Sequence, residues 1–109
     1  MRLFSNKPSQ AQIVYTDEQR RQKAAQKHLD GLIEDICEDV GVCREKYTSE
    51  KTLLLAILKK PEARLNSCWK RYAIYDNSYR LLKELGVKVD AKYAWFTNIK
   101  EHILQIKPN

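Results

Sequence analysis

The stretch "DEQRRQKAAQKHLDGLIEDICEDV", residues 17–40, decides the fold class of this chain. Leu29, Leu32, Ile33, Ile36, Cys37 and Val40 recur at helical spacing and make one apolar stripe. Thr16 stands before the stretch as an N-cap, and Gln19 occupies the third helical position, the spacing of a capping box. Gly41 follows as a C-terminal stop. Together these signals predict a helix of about 24 residues, long for a small domain.

The charges of that helix run against its macrodipole. Arg20, Lys23 and Lys27 lie in the first half, and Glu34, Asp35, Glu38 and Asp39 in the second. The dipole favours the opposite arrangement. Glu34 and Glu38 point away from the apolar stripe, Asp35 and Asp39 flank it, and the three cations share the outer side. Gln22, Ala25 and Gln26 continue the inner stripe without large apolar groups. The second half is therefore expected to bury itself in a core, and the first half to be an exposed polar extension. The mismatch costs at most about 1 kcal/mol near a helix end, so plain tolerance is one reading. A stripe of cations for phosphates is a second. Antiparallel pairing of two copies, basic half against acidic half, is a third.

Downstream, a second helix is predicted over Glu50 to Lys60, capped by Thr48 or Ser49. Its run "LLLAIL" leaves no polar face, so it is expected at the centre of the core. Pro61 opens a third helix to about Tyr75, with Leu65, Cys68, Trp69, Tyr72 and Tyr75 inward. "DNS" at 76–78 reads as a turn and a new N-cap, and a short fourth helix follows from Ser78 to Leu85, with Leu81, Leu82 and Leu85 inward and Gly86 closing it. After an extended "VKV", Asp90 caps a last helix through Ile106 with Trp95, Ile99, Ile103 and Ile106 on its stripe, and Pro108 ends it. The expected architecture is all-α, a small irregular bundle of about five helices with a long N-terminal one. Residues 16–109 are expected to form one domain. Residues 1–15, with Arg2 and Lys7, are expected to be a flexible arm, and Tyr15 a hydrophobic staple on the first helix.

Composition bounds the function. The chain has 109 residues, 43% hydrophobic and 31% charged, which is globular rather than disordered. The net charge is +6, unevenly spread. Residues 1–28 carry six Lys/Arg against two Asp/Glu, residues 29–50 two against seven, and residues 51–109 twelve against five. Two basic regions thus flank an acidic one, a balance that draws phosphate polymers or acidic proteins. Three cysteines at irregular spacing form no disulfide framework, which fits a reducing, cytoplasmic location. No run is apolar enough for a signal peptide or a membrane span.

No motif carries catalysis. Three glycines make neither a P-loop nor a dinucleotide fingerprint, and the exposed carboxylates of the first helix read as a solvated face. His28, Asp35, Cys37 and Cys43 lack metal-ligand spacing, so no metal or cofactor is expected. The segment "CWKRYAIYDNSYR" interleaves cations with aromatics, though Trp69 and Tyr72 stand at core positions. Residues 62–85 take a helix–turn–helix-like corner as one reading, which would present Ser78, Tyr79 and Arg80 to base edges and the Ser78 N–H to a phosphate.

The reading these residues support is a small basic, non-enzymatic nucleic-acid-binding protein, DNA before RNA, acting as a regulatory or accessory factor. Phosphate contacts are expected from Arg20, Lys23, Lys27, Arg64, Lys70, Arg71 and Arg80, and base contacts from Ser78, Tyr79 and Arg80. The competing class is a protein-interaction module, an inhibitor or adaptor docking through its charged first helix. A homodimer through that helix is a further expectation.

Overall fold

The computed structural model describes residues 16–105. Helix α1 spans Asp17–Val40 and begins as its cap predicts. The Thr16 hydroxyl accepts from the Gln19 backbone N–H at 3.1 Å, and the Gln19 side chain accepts from the Thr16 N–H at 2.9 Å. At the far end Gly41 turns left-handed at φ 73°, where a Cβ would be strained. The N–H groups of Gly41 and Val42 close on the carbonyls of Glu38 and Cys37 at 3.3 and 2.9 Å. A 3-10 turn at Arg44–Lys46 leads to α2, Glu50–Leu58, whose Ser49 cap accepts from the Thr52 N–H at 3.2 Å. A second 3-10 turn at Pro61–Arg64 precedes α3, Asn66–Glu84. A third 3-10 segment, Ala91–Phe96, leads into α4, Ile99–Gln105. The fold is all-α, with no strand among the described residues.

The frame is the antiparallel pair of α1 and α3. His28 Nε2 lies 3.2 Å from Ser78 Oγ, and Arg71 reaches Asp35 at 3.3 Å and Asp39 at 3.1 Å. His28 is thus level with Ser78, and Asp35 with Arg71. One face of this pair covers the core, built from Leu29, Ile33, Ile36, Tyr72 and Tyr75 against Leu53, Ile57, Phe96, Ile99 and Ile103. Three buried tyrosines tie the remaining segments to it. Tyr72 donates to the Ala63 carbonyl at 2.8 Å, Tyr75 to the Tyr93 carbonyl at 2.6 Å, and Tyr93 to Asp30 Oδ1 at 3.0 Å. A buried hydroxyl left unpaired costs about 1–3 kcal/mol, so each bond fixes where its 3-10 segment sits.

Four kinds of expectation are corrected, the first being helix boundaries. The helix–turn–helix-like corner does not exist, because Asp76, Asn77 and Ser78 lie inside one continuous helix of 19 residues. Mid-helix, each such residue gives up only about 0.5 kcal/mol relative to Ala. Here Asp76 is held by Arg80 one turn on, at 2.8 Å, and Ser78 meets His28, so neither is available to cap. Pro61 does not open that helix, since its 3-10 turn ends at Leu65 and α3 starts afresh at Asn66. The last helix is likewise two pieces, broken at Thr97 and at Asn98, whose φ is 60°. Within Ala91–Phe96 the three-residue repeat turns Tyr93 and Phe96 inward and leaves Trp95 44% exposed.

The second correction concerns the first half of α1. It is exposed along most of its length, as expected, yet it does not stand clear of the fold: Ala25 is buried, and Glu18 and Arg21 lie beside Leu85, Gly86 and Val87 at the end of α3. Small side chains let the two helices close without a large apolar stripe. Third, Leu65, Leu81 and Leu85 face solvent rather than the core. Fourth, α2 has an outer side, where Leu55 is half exposed between Lys51 and Lys59. The expectations placed on residues 1–15 (the arm, Arg2, Lys7 and the Tyr15 staple) and on Ile106 and Pro108 lie outside the described residues.

Candidate nucleic-acid interface

The structure divides six of the nine expected contact residues into two groups along the α1–α3 pair. Arg20, Lys23 and Lys27 lie on the solvent side of α1, beside the C-terminal half of α3. Arg64, Lys70 and Arg71 lie toward the opposite end, beside the acidic half of α1. Eight to twelve residues of helix separate the two groups, about 12–18 Å. They do not form one continuous surface.

Several of the nine already hold carboxylates. Arg71 bridges Asp35 and Asp39, Arg80 binds Asp76 and donates to Asn98 Oδ1 at 3.4 Å, and Arg20 reaches Asp17 at 3.4 Å. Ser78 faces α1 in the seam, and half-buried Tyr79 packs on the core with Lys83 Nζ 6.0 Å from its ring centroid. Ser78 sits in the helix interior, where its N–H belongs to the helix ladder rather than to an anion site.

A second basic surface escaped the sequence reading. Lys51, Leu55 and Lys59 recur one turn apart along the outer side of α2, and all three are exposed. Lys51 Nζ stands 5.4 Å from the ring centroid of Trp95. Lys92 precedes Trp95 by three residues, so on a 3-10 segment the two share an edge. On the other flank, Tyr47, Thr52, Leu55, Ala56, Lys59 and Lys60 line a shallow groove of about 410 Å³. Tyr47 is 37% exposed there. Two aromatic rings and four lysines thus gather around one face of α2. The signal in the sequence was the four-residue spacing of Lys51, Leu55 and Lys59, masked by the apolar run between them.

The acidic region of the chain is largely consumed inside the molecule. Arg44 donates to Asp30 Oδ1 at 2.9 Å and to Glu50 Oε1 at 3.1 Å, with Glu34 at 3.9 Å. With Arg71 on Asp35 and Asp39, two arginines hold five carboxylates. No group of His, Cys, Asp and Glu among the described residues is arranged to hold a metal ion. A cleft of about 310 Å³ between α3 and α4 is lined by Asp76, Arg80, Asn98, Lys100 and Glu101, without a nucleophile paired to a base. No described helix is long and apolar enough to cross a membrane. Cys37, Cys43 and Cys68 are all free thiols, the first and last buried.

Comparison of the chain with protein-family models, with curated proteins and with solved structures finds no match.

Proposed function

We propose that this chain is a non-enzymatic nucleic-acid-binding protein whose contact surface is the outer face of α2 with the adjoining Ala91–Phe96 segment. The observation that carries the reading is the exposed Trp95 ring with Lys51 poised over it, flanked by Lys92, Lys59, Lys60 and Tyr47. Cations alone attract any anion, but cations interleaved with exposed aromatic rings suit a strand with both phosphates and π-faces. A base stacking on Trp95 displaces the Lys51 ammonium, which then meets the neighbouring phosphate. Bases locked in a duplex cannot reach the ring, so unpaired strands are favoured over duplex. The role is accessory or regulatory, in a reducing intracellular compartment that suits the three free thiols.

Fluorescence anisotropy with labelled single-stranded DNA, single-stranded RNA and duplex DNA at low salt tests the reading. Single strands should bind, with log affinity falling against log salt at about −0.7 per phosphate contacted. Trp95→Ala should weaken binding about fivefold or more, at roughly 1–3 kcal/mol per stacked base. Joint Lys51→Glu and Lys59→Glu should abolish it. No binding by micromolar protein at low salt removes the proposal. A loss produced instead by reversing Arg20, Lys23 and Lys27, with Trp95→Ala silent, moves the surface to α1.

A further inference from the structure

The outer side of the α1–α3 pair carries two exposed stripes, with Arg44 reaching Glu34 only at the edge, at 3.9 Å. On α1, Arg20, Lys23, Lys27, Gly31, Glu34 and Glu38 share the side opposite the buried face. On α3, Ile74, Leu81 and Leu85 recur at i, i+7 and i+11 and are 47%, 56% and 67% exposed. The geometry points to a homodimer in which this two-helix face packs on the same face of a second copy, each helix antiparallel to its counterpart. The proposal is independent of the nucleic-acid reading, which uses the outer face of α2.

Charge selects a second copy as the occupant. The α1 stripe is positive in its first half and negative in its second, so under a twofold axis it is its own complement. An axis passing midway between Lys27 and Gly31 sets Arg20 against Glu38 of the second copy, with Lys23 and Lys27 flanking Glu34. Lys27 then lies across Gly31, where nothing stands within 4 Å of an added Cβ. A glycine inside an exposed helix is unfavourable by up to about 1 kcal/mol, and close approach of another chain gives this one a purpose.

The α3 stripe supplies an independent check, since the α1–α3 register places it relative to the same axis. The His28–Ser78 contact makes Asn77 and Ser78 level with the middle of α1. Ile74 and Leu81 straddle that level, so the axis chosen by the α1 charges brings Ile74 onto Leu81 of the second copy. The face also has the size of an interface. Two helices about 10 Å apart, the longer of them about 36 Å, present an area near the roughly 800 Å² per partner of a standard complex. The macrodipole mismatch within α1 is answered in the same contact, because each basic helix half meets an acidic one.

Sedimentation velocity at low salt, over a wide range of protein concentration and without nucleic acid, reads the dimer directly. The wild-type chain should pass from monomer to dimer with concentration and return to monomer in high salt. Leu81→Glu should weaken association at least tenfold. A doubly acidic variant, Arg20→Glu with Lys27→Glu, and a doubly basic one, Glu34→Lys with Glu38→Lys, should each be monomeric. Mixed one to one, they should form a heterodimer, because their stripes then carry opposite net charge. Circular dichroism checks that each variant keeps its helices. A wild-type monomer at every concentration overturns the proposal, and so does a mixture that stays monomeric.

Discussion

Arg44 holds three acidic side chains from two helices, and no expectation had been placed on it. It enters from the 3-10 turn between α1 and α2 and joins Asp30 and Glu34 of α1 to Glu50 of α2. Its side chain is 21% exposed and that of Glu50 12%, so the Arg44–Glu50 pair is shielded from water and salt. Removing one member of a fully buried pair costs roughly 3–5 kcal/mol, mostly from the charge left behind. With partial exposure here, Arg44→Met should lose about 2–3 kcal/mol in urea unfolding, and Arg44→Met with Glu50→Gln should recover part of it. A loss under about 0.5 kcal/mol for the single variant would mean that the cluster behaves as a surface pair.

At the scale of the helix, what was legible depended on whether a signal was local. The Thr16 and Ser49 caps, the Gly41 stop and the buried stripe of α1 each rest on neighbours a turn away, and each stands where the residues place it. Asp76-Asn77-Ser78 carries an equally local turn signal, yet α3 runs straight through it. The deciding partner of Ser78 is His28, 50 positions earlier, and the Arg71 contacts that lock α3 onto α1 are also remote. The candidate surface was hidden for a related reason. Trp95 took an inward place on an assumed α-helix, and the 3-10 geometry that turns it outward follows from Tyr93 reaching Asp30. Asn77→Ala separates the two readings of α3 by sign. In a turn or cap, losing Asn costs about 1 kcal/mol. Inside a continuous helix, the same change should stabilise by about 0.5 kcal/mol and raise the unfolding midpoint.

Over the whole molecule, the uneven charge pattern becomes an internal economy. The acidic stretch of the sequence neutralises Arg44 and Arg71 at the centre, and the excess lysines are left on outer surfaces. The core beneath holds titratable groups of another kind. Burial raises the Cys37 thiol from 9.0 to about 11, with nearby carboxylates adding and Arg44 opposing. Burial also pushes the phenols of Tyr72, Tyr75 and Tyr93 above their ordinary value of 10.0. All four are neutral when protonated, and the folded chain keeps those protons to higher pH than the unfolded one. Above about pH 9 the unfolded state therefore binds fewer protons, and unfolding free energy must fall as pH rises. The stability these groups supply is fully present below that pH and drains through the alkaline range, at up to about 1.4 kcal/mol per pH unit for each group ionised only on unfolding. Urea midpoints should hold steady from neutrality to about pH 9 and then drop steeply, with the tyrosinate absorbance of three of the six tyrosines appearing only with unfolding. Tyrosinate absorbance amounting to all six tyrosines at about pH 10, while the helices remain intact, would show that these phenols reach water and do not pin the 3-10 segments to α1 and α3.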